Sequence, residues 1–175
     1  MTHYEFSRPF PADRVGHAET IETIEANEQE RVLLARRFNL VAIDKLTAVL
    51  RLRREAATGL IQVRGAFEAD VTQTCSISNE AFSEHIAEPI DDDFTENPVE
   101  EEEFHGEIEL TLEHIPPEPI LDGVIDLGEV TAQFLSLSLD PYPRAPGVAL
   151  DAVWHDPEGG ALSPFAALRA LKKQP

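Results

Sequence analysis

The sequence predicts an α+β fold built mainly on an antiparallel sheet, and three observations lead to this expectation. Apolar and polar residues alternate in LTAVLRLRRE and LIQVRGAFEADVTQTCSI, as is typical of strands, and SEHIAEPIDDDFTE is a third extended run whose four-residue apolar spacing also fits a helix. The first two runs are joined by a short loop containing glycine, which predicts a hairpin. Helical patterns lie before and after the strands, with little alternation of strand and helix between them. We expect a small open sheet or partial barrel, packed with an N-terminal helix and a helix near residues 126–140.

The length of 175 residues, with 42% hydrophobic and 27% charged side chains, suits one globular domain over residues 1–175. Within it we expect an extended N-terminal segment at 1–18 and an acidic loop at 95–106. No apolar run approaches the length of a membrane span, and the polar N-terminus lacks the apolar core of a secretion signal. These features predict a cytoplasmic protein without membrane contact.

The first predicted helix runs from Glu19 to about Asn39, with acidic residues at its start and arginines at its end, as the helix dipole favours. Its expected buried side consists of Ile24, Val32, Leu33, Ala35 and Phe38.

The strand pattern is clearest from residue 46 to 55, where one face of the strand is apolar. We expect Gly65, in the next strand, to mark a bulge or a crossing point. Pro89 favours a strand over a helix in the third run, and EIELTLEHI at 107–115 predicts a further strand. The residues expected to face the core are Leu46, Ala48, Leu50, Leu52, Ile86, Ile90 and Phe94.

The second predicted helix presents a stripe of Leu127, Val130, Phe134 and Leu137 to the sheet. Asp140-Pro141 should end it, and the prolines that follow predict a rigid corner in which Arg144 is the candidate contact for a partner. A short helix is expected near the C-terminus, with Ser163 as its N-cap.

The net charge of -19 is distributed unevenly along the chain. The 79 residues from 65 to 143 contain 21 Asp and Glu but no Lys or Arg, whereas ten of the 14 basic residues lie in the first 64. Such a surface repels a phosphate backbone and attracts a basic partner. Plain solubility is the alternative explanation for the charge.

The residues that usually carry chemistry provide no positive sign of catalysis. Cys75 is the only cysteine, and without a flanking His or Arg it is expected to be a small buried apolar residue. His105 and His114 lie beside glutamates, but their spacing forms no metal-binding motif, and nucleotide-binding and hydrolase motifs are absent. We therefore expect no catalytic residue, metal or cofactor.

Three segments together resemble the YceD family over roughly residues 20–173. They are RGAFEADVTQTCSISNEAFSEHIAEPIDDDF, DLGEVTAQFLSLSLDPYPRAPG and SPFAALRALKK, in this order. Many members of that family have a second Cys shortly after the one that matches Cys75, and further cysteines after the second helix. This chain lacks them, so any metal site held by those relatives is absent or replaced here.

The resemblance implies a noncatalytic role in ribosome biogenesis, in support of the accumulation of large-subunit (23S) ribosomal RNA. The expected partner is a basic ribosomal protein or a pre-large-subunit particle. A small metal-dependent enzyme using His105 or His114 and a general acidic adaptor are the alternatives. For the partner-binding surface the candidates are Glu100, Glu101, Glu102 and Glu103; for direct contact with ribosomal RNA they are Arg31, Arg36, Arg37, Arg51, Arg53 and Arg54.

Overall fold

The structure is a computed structural model that describes residues 4–97 and 116–148. The strand predicted at 107–115, the C-terminal helix and most of the acidic loop lie outside these residues. The described elements, besides a short 3-10 turn at Ala12–Arg14, are β1 (Pro9–Pro11), β2 (Thr20–Glu25), α1 (Glu28–Arg37), β3 (Ala42–Arg54), β4 (Ile61–Thr74), β5 (Ala81–Thr95), β6 (Glu118–Pro119), β7 (Val124–Asp126) and α2 (Leu127–Ser138).

The main sheet has five strands in the order β2-β3-β4-β5-β6 and remains open. All its pairs are antiparallel except the short pairing of β6 with the end of β5. This arrangement confirms the predicted α+β class with a mainly antiparallel sheet.

The long strands β3, β4 and β5 form a meander with one buried face. The residues predicted to face the core from β3 and β5 are all buried. The ladder between β3 and β4 continues without a break through Gly65, and its irregularity lies between Ile43 and Lys45, so a bulge at Gly65 was a wrong prediction. A Cβ atom at Gly65 would overlap the carbonyl oxygen of Val49, so this glycine allows a close approach of the two strands.

The predicted helix from Glu19 to Asn39 is wrong in its first part, where TIETIE forms β2 against β3. The alternating apolar residues of TIETIE suit a strand, and pairing with β3 outweighs the weak helical preference of this segment. The helix begins only after Asn27, whose side chain accepts a hydrogen bond from the Glu30 amide at 3.0 Å while the Glu30 carboxylate accepts one from the Asn27 amide at 2.8 Å.

The buried side of α1 also differs from the prediction. Leu34 and Ala35 are buried, whereas Val32 and Leu33 are 48% and 44% exposed. The helix begins nine residues after the predicted start and turns a narrow side to the sheet. It therefore buries fewer residues than an amphipathic helix of the predicted length.

Helix α2 lies against the inner face of the sheet, where it buries Leu127, Val130 and Leu135. The Asp126 carboxylate caps it by accepting hydrogen bonds from the amides of Gly128 and Glu129 at 3.1 and 3.2 Å. The helix ends at Ser138, close to the predicted stop, but Leu137 is 81% exposed and does not belong to the buried stripe.

The described part of the N-terminal segment includes the 3-10 turn and pairs through β1 with β7 in a separate two-stranded sheet. The Phe6 side chain, which precedes β1 in this segment, is completely buried. Arg8 fixes this segment, because its guanidinium donates to both carboxylate oxygens of Glu30 at 2.7 and 2.9 Å and its amide donates to Asp126 at 2.7 Å.

Candidate functional site

Acidic side chains are concentrated on the last long strand of the meander. β5 carries Glu84, Glu88, Asp91, Asp92 and Asp93 and contains no Lys or Arg. The first three are exposed and the last two are half-buried. Strand β5 therefore presents an acidic surface within the described part of the 79-residue stretch. The predicted partner-binding residues, Glu100 to Glu103, lie outside the described residues and stay a prediction.

Asp92 has the most unusual environment among these carboxylates. Its position in the strand turns it toward the inner face of the sheet, in line with the buried Ile90 and Phe94. Partial burial, followed by the neighbouring charge of Glu118, raises the pKa of Asp92 to about 6, although its hydrogen bond from the Asp93 amide acts in the opposite direction. A cation placed beside Asp92 would offset this unfavourable environment.

Arg64 was not singled out from the sequence, yet it is the cation nearest to this surface. It projects from β4 on the opposite face, with its Nε 2.9 Å from Asp91 and its Nη2 2.7 Å from Asp93. A third bond joins its Nη1 to the backbone oxygen of Asp92. Arg64 thus offsets one of the two negative charges of Asp91 and Asp93 and makes no such side-chain contact with the carboxylates on the inner face.

Arg37, a predicted RNA contact, is exposed at the end of α1, but carboxylates of the chain itself engage its guanidinium. Its guanidinium donates to both oxygens of Glu129 at 2.9 and 2.7 Å and to Glu5 at 3.1 Å. The hydrogen bond with Glu129 is the main reason that the pKa of Arg37 is raised. Glu129 is buried, so this ion pair ties the end of α1 to the start of α2.

Glu129 was missed as a structural residue, although the sequence contains a signal for its position. Asp126 followed three residues later by Glu129 is the pattern of a helix start. That pattern locates the helix, but it does not reveal that an arginine 92 positions away lies opposite the glutamate.

Arg54 and Arg31 also make intramolecular bonds. Arg54 donates to the backbone oxygens of Ala12 and Val15 at 3.0 and 3.2 Å and bridges to Glu96 at 2.9 Å. Arg31 donates to the backbone oxygen of Ala26 at 2.7 Å. Contact of either side chain with RNA would have to replace bonds that connect β3 or α1 with neighbouring loops.

The other three predicted RNA contacts are exposed. Arg36 lies in the last turn of α1, and Arg51 and Arg53 lie on the solvent-facing side of β3. Arg51 has only a 3.8 Å contact with Glu19, and Arg53 a 3.3 Å bond to Gln62. The six arginines therefore do not form one continuous basic surface.

Cys75 is buried, as expected, but its neighbours in the sequence do not reveal the hydrogen bonds that its sulfur accepts. The Ser78 amide nitrogen lies 3.4 Å from its sulfur, and Ser78, Ala145 and Ile77 act together as donors. These hydrogen bonds, led by the Ser78 side chain, lower the pKa of Cys75 to about 6 without any nearby cation. Ala145 belongs to a distant segment, which explains why the sequence did not show this effect.

The proline-rich corner after α2 is fastened to the turn that contains Cys75. The Ser76 amide donates to the backbone oxygen of Pro143 at 2.8 Å, and the Tyr142 amide donates to Asp140 at 2.8 Å. Arg144 and Tyr142 are exposed on its outer side. The corner has the fixed geometry that the prolines predict, and Arg144 stays a candidate contact.

A cavity of about 720 Å³ separates the corner from the end of α1. Its walls include Phe38 and Leu40 after α1, Gln73 near the end of β4, and Leu139 and Asp140 after α2. The lining mixes apolar and polar groups and contains no recognisable catalytic arrangement of the kind seen in hydrolases.

Among the residues that the structure describes, no three His, Cys, Asp or Glu side chains come together as potential metal ligands. His105 and His114 lie outside those residues. None of the helices in residues 4–97 and 116–148 is long and apolar enough to cross a membrane.

Comparisons with known proteins give no further evidence on function. No protein-family model, no curated protein and no solved structure matches this chain.

Proposed function

We propose that this protein is a noncatalytic factor in ribosome biogenesis that supports the accumulation of large-subunit ribosomal RNA. It would act in the cytoplasm by binding a basic ribosomal protein or a pre-large-subunit particle. Three segments that resemble the YceD family support this role. The proposal includes no catalytic residue, metal or cofactor.

The distribution of charge across the fold is the observation that carries the proposed mechanism. Acidic side chains line β5, whereas Arg37, Arg54 and Arg64 are engaged by carboxylates of the chain itself. These pairs leave fewer arginines free to contact RNA, while β5 retains carboxylates that Arg64 does not contact. Electrostatic attraction would bring a basic ribosomal protein to this surface and keep bare RNA away from it.

Direct contact with RNA is the second candidate, and the exposure of Arg36, Arg51 and Arg53 favours it. These side chains are separated between α1 and β3, so we expect their contribution to be smaller than that of the acidic surface. They would matter if the protein binds a particle in which ribosomal RNA borders the basic protein.

Affinity capture of the tagged protein from lysate, with and without ribonuclease, tests the mechanism. We expect a basic large-subunit ribosomal protein to survive ribonuclease and to dissociate at high salt, because exposed charge pairs are screened. Loss of every ribosomal component after ribonuclease would contradict binding through the acidic surface and point to the arginines.

Charge reversal gives the matched control. Replacing Glu100, Glu101, Glu102 and Glu103 by Lys should abolish the capture. The same change in net charge at Asp13, Glu19, Glu25 and Asp44, which are exposed and lie outside the acidic stretch, should leave most of it. Equal losses in the two variants would mean that net charge alone, and no particular surface, determines binding.

Deletion of the gene tests the biological role separately. We expect a lower ratio of large-subunit to small-subunit ribosomal RNA, restored by the wild-type gene but not by the Glu100–Glu103 reversal. An unchanged ratio would contradict the proposed role even if a ribosomal protein is captured.

The metal-dependent enzyme and the general acidic adaptor predict different results. The enzyme requires stoichiometric metal in the purified protein, lost on substitution of His105 or His114. The adaptor requires capture of protein partners without ribosomal components.

A further inference from the structure

Two cavities adjoin on the side of the molecule where α1 ends. The cavity of about 720 Å³ beside the proline-rich corner shares two wall residues, Leu40 and Val41, with a second cavity of about 370 Å³. The second cavity extends along α1 and is lined there by Val32 and Ala35. The two cavities together form a groove from α1 to Pro143, which we call the α1–corner groove.

Apolar side chains remain exposed in the α1–corner groove. Val32 is 48% and Val41 is 57% exposed, although both line its walls, and Leu40 and Leu139 are only partly buried. Exposed apolar side chains in a concave surface are typical of a site that binds an apolar side chain or the apolar side of a helix.

Charged side chains border these apolar groups. Glu28, Asp44 and Asp140 are exposed and lie in the lining of the groove. Arg31 and Arg36 lie in the same lining, on the α1 side. The groove therefore suits an occupant that is apolar on one side and places basic groups beside the carboxylates.

The chain leaves the described residues next to this groove. Pro143 forms part of its wall and is held there by the bond from the Ser76 amide, and the Val148 amide donates to the Ala145 oxygen at 3.2 Å. Residues 149–175 continue the chain from this point. The 14 residues from 149 to 162 can span at most about 50 Å, so the residues after them are tethered within reach of the groove.

Residues 163–173, SPFAALRALKK, have the pattern of an amphipathic helix, and we call them the tail segment. The large apolar residues of the tail segment recur at every third position, which places them on one side of a helix. They are Phe165, Leu168 and Leu171. The three basic residues of the segment are Arg169, Lys172 and Lys173. A chain with a net charge of -19 attracts such a basic segment in general, and the apolar residues determine where it binds.

We propose that the tail segment binds in the α1–corner groove of its own chain as an amphipathic helix, with its large apolar side chains on Val32 and Val41. Tethering favours this occupant, because a short linker gives it an effective concentration in the millimolar range. A partner that uses the groove, or that contacts Arg31 and Arg36 beside it, has to displace the tail segment. The docked segment is therefore an autoinhibitory contact, and it does not depend on a ribosomal role.

A fluorescent peptide with the sequence of residues 163–173 tests the docking against two forms of the full chain. One is the wild type, and the other is Phe165→Ser/Leu168→Ser/Leu171→Ser, which removes the apolar side of the tail segment. We expect the triple variant to bind the peptide at least about tenfold more tightly, because its own tail segment no longer occupies the groove. Equal affinities would overturn the proposal. No binding to the triple variant at about 1 mM peptide would also overturn it, because tethering could not then hold the segment.

Substitutions in the groove show where the peptide binds. In the triple variant, Val32→Ser/Val41→Ser should weaken peptide binding about tenfold, because both apolar contacts are lost. The matched control is Ile21→Ser/Val49→Ser, which removes two exposed apolar side chains from the outer face of the sheet and should leave the affinity unchanged. All four residues are exposed, so both variants should fold. Equal losses in the two double variants would overturn the proposed site.

A nitroxide attached at Gln174→Cys, in a chain that also carries Cys75→Ala, locates the tail segment directly. The amide NMR signal of Val41 should broaden beyond detection, whereas that of Gln62 should remain. Val41 bonds to Thr72, and Gln62 lies about 33 Å from Thr72 along β4. An unchanged Val41 signal would leave the groove to a separate partner and overturn the proposal.

A mixing experiment separates docking within one chain from docking between two copies. Isotope-labelled protein without the nitroxide is mixed with unlabelled protein that carries it. Broadening of Val41 in this mixture would mean that the tail segment of a second copy occupies the groove, and it would overturn the proposal. We expect no broadening in the mixture and the same broadening of Val41 in the singly labelled protein at every protein concentration.

Discussion

Arginine side chains in this fold differ in what they contact, and this difference separates structural residues from candidate contacts. Arg36 and Arg37 are both exposed, but among the described residues only Arg37 pairs with a buried carboxylate of α2. The two would be indistinguishable by residue type and sequence position. Their environments predict opposite consequences of substitution.

Substitution of Arg37 by Ala should lower the free energy of unfolding by about 2 kcal/mol, because it leaves the Glu129 carboxylate buried without its partner. Arg36→Ala should change it by less than about 0.5 kcal/mol. Urea denaturation of both variants provides the measurement. Adding Glu129→Gln to Arg37→Ala should recover part of the loss, and no recovery would contradict the charge-pair explanation.

At the scale of single elements, α2 is positioned by the N-terminal segment as much as by the sheet. Gly128, in its first turn, lies against the backbone of Phe6, and a Cβ atom there would overlap the Phe6 carbonyl oxygen. A glycine is thus required for close packing inside a helix, where its intrinsic preference is unfavourable.

Gly128→Ala should therefore destabilise the protein by about 2 kcal/mol, although alanine is the better helix former. The matched control is Gly16→Ala, since the nearest atom to a Cβ at Gly16 is 3.9 Å away. We expect the control to change the free energy of unfolding by less than about 0.5 kcal/mol. Thermal and urea unfolding of the two variants would measure the difference, and stabilisation by Gly128→Ala would show that the two segments separate easily.

Local pattern was sufficient to predict the meander but not the first helix. The four apolar side chains from Leu46 to Leu52 alternate strictly, and one face of β3 buries them. From Glu19 to Asn39, acidic residues at the start and arginines at the end suited a helix, while the alternation in TIETIE was overlooked. The pairing with β3 that decides this segment comes from residues about 25 positions later, which a local pattern does not contain.

The candidate sites were less predictable than the elements because they depend on contacts between distant segments. The donors around Cys75 include Ala145, and the environment of Asp92 includes Glu118. Residue type indicated that β5 is acidic, but not that Arg64 pairs with two of its carboxylates. The proposed ribosomal role rests on the resemblance in sequence, and it remains a proposal.

On the scale of the whole molecule, a net charge of -19 on 175 residues implies repulsion within the folded state. In the first 64 residues, Lys and Arg offset this repulsion, whereas residues 65–143 contain neither. The stability of the protein should therefore depend on ionic strength.

Raising NaCl from 50 to 300 mM should increase the melting temperature by about 2 to 4 °C, because screening weakens the repulsion. Differential scanning calorimetry at constant pH would measure the shift. The reversal of Glu100–Glu103 to Lys makes the net charge less negative and should make the shift in melting temperature smaller. A melting temperature that falls with salt would mean that attractive ion pairs outweigh the repulsion.

The position of β1 has a consequence for synthesis of the chain. Arg8 and the Asp126 carboxylate that holds it are 118 positions apart, so β1 acquires its partner only after that many further residues have been synthesised. At 5–20 residues per second, this interval is about 6 to 24 s. During that time Phe6 has no α2 to bury it. The nascent segment around Phe6 is consequently one for chaperones to protect, and its docking should follow the formation of the β3–β4–β5 meander.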